Sequence, residues 1–220
     1  MPTPAQTLLI DKLQRLPTQL EHLTAAMTDA ELTGHFMIGE WSVAQNVHHL
    51  ADSHMNSYIR CKLIATEQQP TLKPYDQDAW AALPDAGNQD VATSLAILRG
   101  LHARWVSFFT ELDETGSLRT GYHPEAGVVT LDDQLQLYAH HGAAHIDQIR
   151  RTIAALPKDA YHQDGTARPD RPRMGTPEPA CTVLHPHPVG GTHCERLVTQ
   201  TAYWSHFSLG TVAGGAPPAR

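Results

Sequence analysis

The chemistry this chain could perform is concentrated in its imidazoles. His141 and His145, in LYAHHGAAHIDQI, stand four residues apart. On a helix that spacing puts both rings on one face, about one turn from each other, as two ligands of a single ion require. A second group, His48, His49 and His54, lies in the stretch WSVAQNVHHLADSHMNSYIRCKLIATE. At 3.6 residues per turn, His49 flanks the apolar row marked by Leu50, His54 lies close to that row, and His48 points well away. Two readings are open. The rings are polar residues on half-buried faces, or His49, His141 and His145 share one divalent ion. Three neutral imidazoles would leave that ion its full +2 charge and at least one open position, which is a catalytic rather than a structural arrangement. Gly142 stands where an H-E-x-x-H motif carries its glutamate, so a zincin-type protease is excluded.

Four amphipathic segments would have to position these rings. Leu9, Leu13, Leu16, Leu20, Leu23 and Met27 alternate steps of four and three, the seam of a helix packed nearly parallel to others. Pro17 falls inside that pattern and is expected to kink or restart the helix. Thr28 with Glu31, Ser42 with Gln45 and Thr130 with Asp133 each form a capping signal. The Ser42 cap opens a long helix with Val43, Val47, Leu50, Tyr58 and Cys61 on its buried row. From Gln68 to Asn88 three prolines and little periodicity mark a long crossover connection, with one helical turn near Asp78–Leu83. A third helix spans about Asp90–Leu112 on a row of Leu95, Leu98, Leu101, Trp105, Phe108 and Leu112, which leaves His102 and Arg104 at the surface. YHPEAGVVT suits a small hairpin with Gly127 in its turn. The Thr130 cap then opens the last helix, buried along Leu131, Leu135, Tyr138, His145, Ile149 and Ile153. The expected fold is all-α, a four-helix bundle over residues 1–156. Residues 157–220 are dense in proline and glycine without helical period, so they read as a disordered tail. Its Cys181, His185, His187, His193 and Cys194 match no common zinc spacing.

Composition narrows the function. A net charge of −7 argues against nucleic acid and anionic membranes as partners, since both select basic surfaces. Three scattered cysteines without C-x-x-C form no disulfide framework and suit a reducing cytoplasm. No apolar run is long enough for a membrane span, and the N-terminal residues lack a signal-peptide pattern. Fifteen histidines, against sixteen Lys and Arg together, are the anomaly, and they direct attention back to the imidazole clusters.

The series HHLADSHMNSYIR, TLKPYDQDAW, YHPEAG and the H-x-x-x-H helix, in that order over about residues 5–155, resembles the YfiT family of metal-dependent hydrolases, within the DinB-like superfamily of four-helix bundles. The resemblance implies that His49, before Leu50, is the first metal ligand and that His141 and His145 are the others. It also implies one zinc per subunit, or nickel, in a cytoplasmic homodimer acting on a small-molecule substrate. Family members often carry a further histidine where Ala144 stands here. His54 is the candidate for a proton shuttle or substrate contact, unless it is a buried ring bonded to a carbonyl. Asp52, Asn56 and Gln148 could orient the ligand rings, and Tyr75, Asp76 and Trp80 could rim the pocket. Three activities fit: metal-assisted hydrolysis, thiol transfer using a low-molecular-weight thiol, and metal binding without turnover.

Overall fold

Each long helix but one begins where a side chain can satisfy its first free N–H groups. A computed structural model describes residues 1–157; the C-terminal segment beyond Pro157, with its cysteines and histidines, lies outside the described residues. Helix α1, Pro4–Thr24, opens on a Thr3–Gln6 capping box. The short α2, Asp29–Thr33, uses Thr28 and Glu31, and α3, Val43–Thr66, uses Ser42 and Gln45. The crossover holds a single short helix, α4, Gln77–Ala81. The exception is α5, Ala92–Glu111, whose Val91 N-cap offers no side-chain bond. After the one-turn α6, Glu114–Ser117, the strands β1, Thr120–His123, and β2, Gly127–Thr130, form an antiparallel hairpin. Helix α7, Leu131–Ala154, follows at once from the Thr130–Asp133 cap. Gly127 pairs with His123 at a φ of +77°, a conformation that a side chain would strain.

The four long helices form the bundle. α1 packs against α5 and α7, and α3 packs against the same two. Helices α1 and α3, consecutive long helices in the chain, therefore stand at opposite corners. The diagonal step is spanned by the α2 segment, and the return from α3 to α5 by the long crossover. Leu72 in that crossover donates to the Tyr122 carbonyl, and Tyr122 donates to the Pro70 carbonyl, so the hairpin holds the connection against the bundle end. The core has two apolar clusters, one around Trp105, Tyr138, Leu131 and Ile64, the other around Leu20, Val47, Leu50, Leu98 and Ile149. The histidine clusters lie between them along the bundle.

Two expectations are corrected. Pro17 does not restart the first helix, because α1 runs unbroken through it. What the proline removes is one N–H, and the carbonyl of Leu13 therefore lacks its helical donor. His102 is not a surface residue; it is only 2% exposed. The buried row of α5 is Leu95, Leu98, His102, Trp105 and Phe109, an alternation of steps of three and four that runs through 102 where apolarity alone places Leu101. His102 Nδ1 donates to the Leu13 carbonyl at 2.6 Å. The acceptor freed by the proline is thus filled by the histidine. Arg104, on the same helix, is exposed as expected.

Candidate metal centre

Helices α3 and α7 face each other along two matching stripes. His49 and Ser53 on α3 are four residues apart, as are His141 and His145 on α7, so each pair projects toward the other helix from neighbouring turns. The ligand atoms of His49, His141 and His145 all lie within 4.8 Å of one another, and all three rings are buried. His141 Nε2 is 3.3 Å from His49 Nε2 and 3.1 Å from His145 Nε2. Four ligands at 2.0–2.1 Å from a tetrahedral ion stand about 3.3 Å apart, so these separations suit one ion shared by the three.

Hydrogen bonds settle which way one of the rings presents its lone pair. Asn46 Nδ2 donates to the Ser42 carbonyl at 2.9 Å, which turns Oδ1 toward His145. That oxygen can only accept, so His145 Nδ1, 2.7 Å away, carries the proton. In the neutral ring Nε2 is then bare. Burial holds His145 neutral by lowering its pKa to about 4. Burial also lowers His49 and His141 well below 6.5, helped in both by the neighbouring His145. Metal ligation needs imidazole in this neutral form. Trp41 packs over the cluster, its ring centroid 4.7 Å from that of His49 and stacked at 6.2 Å on His145. Among the described residues no carboxylate or thiol joins the three imidazoles.

His54 has no exposed surface. Its Nε2 is 3.2 Å from His141 Nδ1, and its Nδ1 is 2.8 Å from His102 Nε2. It therefore stands behind His141, on the far side of that ring from His49 and His145, where a substrate would not touch it. His48 points away from the cluster, but into the interior, between Ser94 Oγ and the Asn88 carbonyl, each at 2.8 Å. Asp52, Asn56 and Gln148 do not hold the ligand rings. Asn56 bonds the Asp52 carbonyl inside its own helix, and the Asp52 carboxyl, its pKa raised by burial and then by Asp85, lies toward His48. The residue that orients a ring is Asn46, which sequence reasoning missed. Its signal was its place one turn before His49 on the same face of α3. On the crossover, Asp76 caps α4 and the Tyr75 and Trp80 rings pack at 4.6 Å, while the Tyr75 hydroxyl is buried beside Ser53. Gly142 is where α1 comes close: a Cβ there would meet Leu16 Cδ2 at 2.7 Å, so any larger residue at this position would have to push the Leu16 side chain aside.

A four-helix bundle with a buried three-imidazole cluster between two of its helices defines the class. The model of the DinB superfamily matches residues 12–149, which include every residue of the cluster, and the chain belongs to that superfamily. It is 43% identical over 148 residues to the "Putative metal-dependent hydrolase YfiT" of Bacillus subtilis, an alignment covering 66% of this chain and 83% of the relative. A relative named in the same way from Oceanobacillus iheyensis is 40% identical over 140 residues, with 64% and 81% covered. The solved structure of YfiT from Bacillus subtilis, described as a probable metal-dependent hydrolase with an unusual four-helix bundle topology, superposes with a TM-score of 0.64 at 40% identity. It covers 70% of this chain and 90% of that one.

Proposed function

We propose that this protein is a metal-dependent hydrolase whose divalent ion, zinc or nickel, is held by His49, His141 and His145. One observation carries the reading: three buried Nε2 atoms meet at separations suited to a shared ion, one of them turned bare by Asn46. The names of the relatives point the same way. A bound divalent ion would supply Lewis-acid chemistry at the open position, polarising a substrate oxygen and lowering the pKa of water from 15.7 to about 7. The chain's own residues prepare that position. Burial keeps the imidazoles neutral, Asn46 aims His145, and Trp41 shields two of the rings from water. We further propose a small-molecule substrate and a cytoplasmic homodimer, on the strength of the family resemblance. Among the described residues no helix is long and apolar enough to cross a membrane.

Thiol transfer is the second reading, favoured by one feature. The cluster contains no carboxylate to serve as general base, and the buried Cys61, its thiol pushed up to about 12 by burial, is no nucleophile. An attacking sulfur would come from a low-molecular-weight thiol. Elemental analysis of gently purified protein should find one divalent ion per chain and a sharp loss in His49→Ala, His141→Ala and His145→Ala. Metal retained by His145→Ala overturns the assignment. Assaying the loaded protein on esters, amides and electrophiles, with and without thiol, separates the activities. Thiol-independent cleavage supports hydrolysis, thiol-dependent conjugation supports transfer, and silence in both leaves metal binding without turnover.

A further inference from the structure

A chain of three histidines leads inward from the cluster and ends on a backbone carbonyl. It can be read from that end, because an oxygen without a proton fixes everything upstream. The Leu13 carbonyl accepts from His102 Nδ1 at 2.6 Å. It is free to do so because residue 17 is proline and has no N–H to give it. A neutral His102 with its proton on Nδ1 has a bare Nε2, which must accept from His54 Nδ1 at 2.8 Å. The same step repeats. His54 Nε2 is bare and accepts from His141 Nδ1 at 3.2 Å. His141 Nε2 is then bare as well, and it is the atom that faces His49 and His145.

We infer that His102 and His54 are positioning residues that fix His141 as its Nδ1–H tautomer and so keep its Nε2 lone pair aimed into the cluster. The inference rests on the reading that His141 is a metal ligand. The contacts support it, since each of the two N···N approaches needs one N–H and one bare nitrogen, which neutral rings with one proton each supply. All three rings are enclosed, His54 standing edge-on to Trp105 and Tyr138 and stacked near-parallel on His102. The contact between His141 Nε2 and His145 Nε2 at 3.1 Å follows from this: two bare nitrogens face each other there, one set by the Leu13 carbonyl and one by Asn46. Neither can donate to the other, and a cation between them relieves the repulsion of their lone pairs.

The test reads tautomers directly, in the metal-free full chain carrying 15N-labelled histidine. Long-range 1H–15N correlation spectra at neutral pH distinguish Nδ1–H from Nε2–H rings, and His102, His54 and His141 should all be Nδ1–H. His102→Phe keeps a ring of similar size but neither hydrogen bond. It should release His141 into a tautomer mixture and weaken zinc binding, measured against a chromophoric chelator, by roughly tenfold to a hundredfold, the usual effect of losing the partner of a ligating histidine. His102→Gln offers both a donor and an acceptor and should bind zinc within about threefold of the original, which a loss by mere disruption of packing would not allow. An Nε2–H ring at His141 in the unaltered protein overturns the inference, whether or not the variants fold. So does a His102→Phe protein with unchanged His141 tautomer and zinc affinity. Unaltered protein with all three rings Nδ1–H that takes up no zinc would refute the metal reading while upholding the tautomer chain.

Discussion

Buried imidazoles make the metal-free protein sensitive to acid, and the size of the effect can be worked out. Burial holds His102 and His145 down to about 4 in the folded state, whereas an exposed histidine in the unfolded chain titrates near 6.5. The folded values are depressed, so the unfolded chain takes up protons that the folded one refuses. The stability these rings contribute is complete above about pH 6.5 and is lost as pH falls toward about 4. At about 1.36 kcal/mol per pH unit, each ring gives up about 3 kcal/mol across that window. The two together approach the whole stability of an ordinary domain, about 5–15 kcal/mol. His49, His54 and His141 are lowered in the same direction by burial and by their neighbours. Asp52 works the other way, its carboxyl raised by burial and by Asp85, but it is a single half-buried group. Urea unfolding followed by circular dichroism, in chelator, should therefore show stability falling by about 2–3 kcal/mol per pH unit near pH 5 from these two rings, close to the slope for two protons. The metal-free protein should unfold at about pH 4–5 without denaturant. Zinc-loaded protein should resist to lower pH, because an ion bound only to the folded state adds its binding energy until protons displace it. Stability constant to within 1 kcal/mol between pH 7 and pH 5 would refute the buried, neutral histidines on which the site depends.

Two further outcomes follow from single side chains. Asn46→Leu removes the acceptor of the His145 Nδ1–H and the donor to the Ser42 carbonyl. It should weaken zinc binding about tenfold to a hundredfold in chelator competition, while the esterase or transferase assay falls in parallel. His48→Ala leaves the cluster alone but strands Ser94 Oγ and the Asn88 carbonyl. It should cost about 1–3 kcal/mol in urea unfolding with metal content unchanged, and a loss of metal would show that His48 belongs to the site after all.

Most of the frame was legible because it is written in local signals. The caps at Thr28, Ser42 and Thr130 and the hairpin before α7 need only neighbours within a few residues, and they stand where they were expected, except that the hairpin starts at Thr120 and Gly127 opens β2 instead of lying in the turn. The H-x-x-x-H pair was legible for the same reason, since helical periodicity alone puts its rings on one face. His102 was not. Its row could be drawn through Leu101 on apolarity alone, and only contact with α1 shows why an imidazole belongs in the core. Asn46 was hidden in the same way, because its partner His145 is 99 positions away in the chain. Pro17 was read for the bond it forbids inside α1 rather than for the acceptor it releases to another helix. Local rules find residues that satisfy themselves; a polar residue satisfied across the bundle looks like a surface one until the helices are brought together.

That distinction bears on how the site stays formed. A buried polar chain is tolerated only when every donor and acceptor along it is matched, because a half-satisfied network costs more than an apolar one. Both chains here end on backbone carbonyls with a lone pair to spare, for different reasons. The Ser42 oxygen is the N-cap carbonyl of α3: it accepts the Asn46 N–H at 3.1 Å and still has a lone pair for the Asn46 side chain. The Leu13 oxygen is spare because of Pro17. Neither anchor can rotate, as a hydroxyl could, or titrate, as a carboxylate could. The tautomers they impose on His145 and His141 are therefore held by backbone geometry. One is anchored in the helix that carries His49 and the other in α1, which contributes nothing to the cluster itself. Helix α1 thus serves the site from the opposite corner of the bundle, and the sequence features that let it do so are a proline where a helix would ordinarily avoid one and a histidine on a row of apolar residues.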